Sequence, residues 1–377
     1  MRGHIRERGR NHWYAVIDIR DPITGKRRRK WHSLPDCKGK RQAETACSRL
    51  VTEMQRGTYL EPGRCTVALF LARWIDYQQN HVTPRTIEYY HENTKNLLPL
   101  IGNVTLAKLS PAVVAQVYTN ALKRHSPVSV LMVHRVLSAA LRQAVKWQLL
   151  SANPCDAVTA PRVERRQTRV LDADGAAVLI EAARPRAMFM PILLGVMCGL
   201  RRGELAALTW HHVDLDAARL QITVSAEQTS QGVRIKSPKS GRSRVVAMPA
   251  LVVEELRRHR LKQAEELLRL GVRQSDDTYV CLQPNYKPWA PWNLSSTFAK
   301  LIKTTGLPRI RLHDLRHSHA THLLVANVHP KIVQERLGHA NIGITMNLYS
   351  HVMPGMQDEA ASRVDAVLRG ALRKHKR

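Results

Sequence analysis

A chain of 377 residues with 44% hydrophobic content can bury a sizeable core, which excludes a wholly disordered protein, and roughly 100 to 200 residues per domain gives two or three domains. Its 59 Lys and Arg against 30 Asp and Glu give a formal charge of +29, which self-repels unless a polyanion is the usual partner, so nucleic acid is the leading candidate. The six cysteines are scattered with no CxxC pair, the start MRGHIRERGR lacks an apolar signal segment, and the apolar run Met188–Leu200 is too short for a bilayer; reduced thiols, a cytoplasmic or nucleoid location and no membrane are expected.

Residues 1–60 read as a small β-sheet backed by one helix. Trp13-Tyr14-Ala15-Val16-Ile17-Asp18-Ile19 is aromatic and β-branched, Asp21-Pro22-Ile23-Thr24-Gly25-Lys26 has turn chemistry, and Arg27-Arg28-Arg29-Lys30-Trp31 makes a basic strand. Ala43, Ala46, Leu50 and Met54 recur at helical steps before a stop at Gly57. The stretch has 15 Lys and Arg against six Asp and Glu, a net +9. A run of cations can simply blunt a solvated sheet edge. With Trp13, Tyr14 and Trp31 beside it, the run also suits a sheet laid into a DNA groove, so Arg27, Arg28, Arg29, Lys30 and Trp31 are candidate DNA-binding residues.

Residues 61–160 read as a bundle of four or five short helices, with Thr83-Pro84, Ser110-Pro111 and Ser126-Pro127 as helix starts. Asn153–Arg169 is basic with little apolar periodicity, an extended linker that ends this domain. In residues 161–377, helices are expected over Asp172–Ala183, Met188–Met197, Val252–Leu270, Leu294–Thr305, Asp314–Ala326 and Pro330–Leu337. Strands are expected at Leu220–Val224, Val233–Lys236 and Arg244–Met248, with Pro238–Gly241 as a hairpin turn before the third. The fold class is therefore mainly α with small β-sheets: a three-stranded sheet plus helix, a helical bundle and a mixed α/β domain.

Four segments of the last domain carry chemistry: Cys198-Gly-Leu-Arg201-Arg-Gly-Glu204, Pro238-Lys239-Ser-Gly-Arg-Ser-Arg, Leu312-His313-Asp-Leu-Arg316-His317 and Leu337-Gly-His339 followed by Leu-Tyr349-Ser-His351. Here the chain resembles the tyrosine recombinase (phage integrase) family, whose Arg, Lys, His-x-x-Arg, His or Trp, and Tyr match Arg201, Lys239, His313, Arg316, His339 and Tyr349 in order. The resemblance implies arm-binding (1–60), core-binding (61–160) and catalytic (161–377) domains. It also implies double-stranded DNA as substrate, a homotetramer on two duplexes, and an excisionase and a DNA-bending host factor as helpers. A type IB topoisomerase that nicks and reseals, and an inactive DNA-binding relative, are the rival readings.

The chemistry can be argued from the residues themselves. Cutting a phosphodiester with a protein hydroxyl needs donors for the phosphate charge and an acid for the leaving oxygen. Arg201 and Arg316 are planar forks suited to the phosphate, and Lys239 on a turn can protonate the departing 5′-oxygen. His313 and His339 can take the Tyr349 proton or bond the phosphate, and the residues leave open which does which. Tyr349, with an ordinary pKa near 10, would end as a 3′-phosphotyrosine. No cofactor and no metal are required; His313, His317, His319 and His322 lack the HExxH pattern or Cys partner of a zinc site. Arg202 competes with Arg201 for the first role, and Glu204 reads as a buttress for an arginine or a residue packed at the helix end, with no part in proton transfer.

Overall fold

The computed structural model describes residues 2–9, 12–20, 27–35, 37, 39–55, 65–163, 169–237, 243–349 and, near the C-terminus, 361, 362, 364, 365, 368 and 369. The chain divides into two compact units, Met1–Glu164 and Arg165–Arg377.

In the first unit, β1 (Arg2–Glu7), β2 (Trp13–Arg20) and β3 (Arg27–Leu34) form an antiparallel sheet in that order. β2 buries Ala15, Val16 and Ile17 in succession, and Ala15 shares a small core with Ala43 and Cys47 of α1 (Lys40–Gln55). The helix lies so close over β1 that a Cβ at Gly3 would meet Val51 at 2.6 Å. Elsewhere on the sheet Trp31 is 41% exposed, with Tyr14 edge-on to it and the guanidiniums of Arg6 and Arg8 at 5.8 and 5.2 Å from its ring. β1 has no β-branched run to mark it, and Arg2 and Arg6 hide it.

A second core is built by α2 (Val67–Gln78), α3 (Pro84–Ile101), α4 (Pro111–Leu122) and α5 (Pro127–Lys146). Proline opens the last three, and Thr66, Ser110 and Ser126 cap α2, α4 and α5 by accepting from the third backbone N–H. By length and composition α5 is apolar enough to cross a membrane, yet Val130, Val133, Leu137 and Leu141 are buried in the bundle core.

The second unit begins with α6 (Ala173–Ala183), capped by Asp172, and α7 (Phe189–Cys198), whose residues are almost all buried. α7 stops at Gly199, with φ at +68°, where a Cβ would lie 2.6 Å from the His319 ring and 2.9 Å from Leu337. Only glycine allows that approach. There follow α8 (Arg202–Ala207), β4 (Val213–Asp214), β5 (Arg219–Ile222), β6 (Ser225–Thr229), β7 (Gly232–Lys236) and β8 (Arg244–Ala247). β7 and β8 do not pair as a hairpin, contrary to expectation: β7 pairs with β6, whereas β8 pairs with β5 in a β4-β5-β8 sheet. The tight turn is Ser230-Gln231 instead, with Gly232 at φ +117°, and the turn expected at Pro238–Gly241 lies outside the described residues. The helices α9 (Ala250–Arg269), α10 (Pro291–Leu301), α11 (Asp314–Val325), α12 (Pro330–Leu337) and α13 (Ile342–Tyr349) complete the unit.

Candidate active site

The last carbonyls of a helix have no partner within it and attract cations. At the end of α12 three such oxygens each accept from a different arginine. Arg244 Nε donates to the Arg336 carbonyl at 2.9 Å, Arg316 donates to that of Leu337, and Arg201 donates to that of Gly338 at 2.8 Å. These arginines come from β8, α11 and the residue before α8, and His339 follows directly.

The end of α7 is treated the same way. Arg316 donates to the Gly199 carbonyl at 2.7 Å and Arg336 to that of Met197 at 3.3 Å. Arg336 Nε also donates to His319 Nε2 at 3.0 Å, so the His319 proton sits on Nδ1 and goes to the Val196 carbonyl at 2.9 Å. Arg316, only 2% exposed, thus pins two helix ends together.

Glu204 anchors the first arginine. Its carboxylate accepts the Arg201 backbone N–H and an Arg201 guanidinium N–H, both at 2.8 Å, and is gripped from the other side by both terminal nitrogens of Arg244 at 2.8 and 2.7 Å. Burial pushes the Glu204 carboxyl up, but the hydrogen bonds and charge of Arg244 and then Arg201 overcome it and bring it to about 2. Glu204 therefore buttresses arginines, as its place in the sequence suggests. The Arg201 side chain is 23% exposed and keeps three of its five N–H donors without a partner among the described residues. Arg202 turns elsewhere, donating to Ser295 at 2.9 Å.

Both candidate histidines are held neutral. His313, edge-on to His317 at 5.0 Å, is lowered to about 4, first by burial and then by His317 and Arg316. His339 is lowered to about 3 by burial and then by Arg316 and Arg201. Its Nδ1 lies 2.9 Å from the hydroxyl of Thr345, fully buried on α13, four residues before Tyr349.

Residues 169–355 match the phage integrase family, and residues 66–123 match the N-terminal SAM-like domain of phage integrases. The chain belongs to the tyrosine recombinase (phage integrase) family. The recombinase is 25% identical over 354 residues to a tyrosine recombinase XerC-like protein of Caldanaerobacter subterraneus, covering 87% of this chain and 90% of that one. It is 27% identical over 306 residues to a putative prophage phiRv2 integrase of Mycobacterium tuberculosis, covering 77% and 75% of the two chains. Its fold is similar to that of the Tn1549 transposon integrase, solved in complex with transposon right end DNA, with TM-score 0.68 at 20% identity over 80% of this chain and 99% of that one. The lambda integrase tetramer bound to a Holliday junction gives TM-score 0.57 at 19% identity, covering 89% and 95%.

Of the residues singled out in the sequence, the recombinase brings Arg201, Arg316 and His339 to one helix end, with His313 close enough to Arg316 to feel its charge. Lys239 lies outside the described residues, while Lys236 on β7 is paired with Glu227. Tyr349 ends α13, and its side chain lies outside the described residues, as do those of Arg27, Arg28 and Lys30; Arg29 is exposed and pairs with Asp18 at 3.1 Å. Among the described residues no three His, Cys, Asp or Glu side chains cluster as metal ligands. Arg244 was missed as a site residue. The available signal is periodicity, since Arg244 shares an inward face with Val246 and an inward charge needs a partner.

The histidines predict an acid-labile unit. His313, His319 and His339 all have folded-state pKa values below the ordinary 6.5, so from there down to about 4 the unfolded chain binds protons that the folded chain does not. Stability rises with pH across that window and is lost as pH falls from 7 towards 5. Glu204, whose folded value lies below 4.5, adds a second loss only beneath that pH. The DNA-free recombinase is expected to melt about 5 °C lower at pH 5 than at pH 7. Calorimetry showing equal melting temperatures would contradict neutral, buried histidines.

Proposed function

We propose that the recombinase cuts and rejoins duplex DNA of a mobile element at a specific site, one strand at a time, through a 3′-phosphotyrosine at Tyr349. Arg201 and Arg316 donate to the non-bridging phosphate oxygens, and neutral His339 adds a further N–H. The Tyr349 oxygen attacks phosphorus as its proton passes to His313, and the bond to the 5′-oxygen breaks as Lys239 protonates it. The ester keeps the phosphodiester's bond energy, so another 5′-hydroxyl can reverse the step without ATP. What supports the reading is the convergence of Arg201 and Arg316 on the two carbonyls immediately before His339, from positions far apart in the chain.

On this reading residues 1–60 bind arm DNA through Arg29, Trp31 and the neighbouring Arg27, Arg28 and Lys30. Residues 61–160 grip the core site, and residues 161–377 do the chemistry. The working form is a homotetramer on two duplexes in the cytoplasm at the nucleoid, assisted by an excisionase and a DNA-bending host factor.

Footprinting on DNA flanking the gene gives the site, and a nicked duplex of that site then traps the intermediate. A covalent protein–DNA band is expected on a denaturing gel, with equal yield in excess EDTA because the charge is carried by arginines. Loss of the band in EDTA with rescue by Mg²⁺ would show that the phosphate charge is met by a metal instead.

A further inference from the structure

We propose that Arg244 is a positioning residue for strand cutting, acting through Glu204 to keep the Arg201 guanidinium oriented and positively charged towards the phosphate. The inference rests on the reading of Arg201 as a phosphate-binding residue.

Arg244 opens β8, and its side chain is only 8% exposed. All three of its nitrogens are engaged: Nε with the Arg336 carbonyl, and both terminal nitrogens with Glu204. One of those partners also binds Arg201, and the other lies beside a partner of Arg201. Glu204 binds Arg201 through both carboxylate oxygens, and the Arg336 carbonyl lies two residues before the Gly338 carbonyl that Arg201 holds. The Arg244 stem completes the fit, because a Cβ at Gly338 would come within 2.9 Å of its Cδ.

Charge decides the role. Glu204 carries one negative charge and is 1% exposed, and the charged groups facing it are Arg201 and Arg244. With both arginines present the trio keeps a net positive charge. Without Arg244, Glu204 would neutralise Arg201 outright and could swing with it. A lysine would restore the charge but offers no planar fork to fix the carboxylate plane.

The test compares Arg244→Gln and Arg244→Lys with wild type in the full-length protein, measuring equilibrium binding of the core duplex and single-turnover cleavage of the nicked duplex. Arg244→Gln is expected to bind within about 3-fold of wild type and to cleave about 10²-fold more slowly, because the Arg201 donor is no longer held preorganised. Arg244→Lys should fall between the two. In a Glu204→Gln background, Arg244→Gln should add no further loss. If Arg244→Gln does not fold, Arg244→Lys carries the test, and cleavage by it at the wild-type rate overturns the proposal. So does additivity of the two Gln substitutions, or equal losses in binding and cleavage. Arg201→Gln separates the two levels: if it cleaves normally, the phosphate-clamp reading fails, whereas a defective Arg201→Gln beside a normal Arg244→Gln removes only the role of Arg244.

Discussion

Replacing Tyr349 by Phe is expected to abolish the covalent protein–DNA complex, a loss on the order of 10³-fold or more, while core-site binding stays within about 2-fold. The substitution removes one oxygen and no packing volume. It sits on α13, whose Thr345, one turn earlier, is buried against His339, so the helix bearing Tyr349 is anchored by a contact of another residue. Tyr349 is the one tyrosine that follows Leu337-Gly338-His339 in the sequence. Both proteins should be run with a labelled nicked duplex on a denaturing gel. A shifted band that survives in the Phe variant would move the nucleophile elsewhere.

Glu204→Leu is expected to cost about 3–5 kcal/mol, among the largest losses any single substitution in this unit could cause. It leaves the guanidiniums of Arg201 and Arg244 side by side, the latter 8% exposed, with no carboxylate between them. It also removes the acceptor for the backbone N–H that starts α8. For a unit of this size the melting temperature should drop by about 10 °C. Glu204→Gln keeps the shape and one acceptor oxygen, so it should lose roughly half as much stability while still losing the charge that orders Arg201. Calorimetry of both variants at pH 7 checks this, and a Leu variant that melts within about 2 °C of wild type would mean the carboxylate is not essential to the arginine pair.

The helices of the bundle were legible because Ser-Pro and Thr-Pro pairs mark helix starts by local chemistry alone. Arg201, Arg316 and His339 were legible because order along the chain matches a family pattern. What the sequence hid was non-local. The partner of β8 is β5 and not the neighbouring β7, a choice made by which strands share a face with Leu220 and Val246, and no turn signal at Pro238–Gly241 reports it. Ser225–Thr229 escaped notice as a strand because Glu227 and Gln228 break its apolar alternation. Arg244 looked like one more surface cation in a chain of net charge +29, since composition conceals the rare arginine that points inward.

The arginines at the end of α12 hold main-chain oxygens, and this makes the contact at Leu337 indifferent to which apolar side chain that residue carries. Exchanging Leu337 for another apolar residue leaves its carbonyl where Arg316 finds it. Removing a single residue between Pro330 and His339 is another matter: it turns everything downstream by about 100° about the helix axis. The carbonyls of 336, 337 and 338, His339 and the start of α13 would then all lose register together. Apolar exchange at Leu337 is therefore tolerated where insertion or deletion is not, so the spacing from α12 to Tyr349 behaves as a ruler.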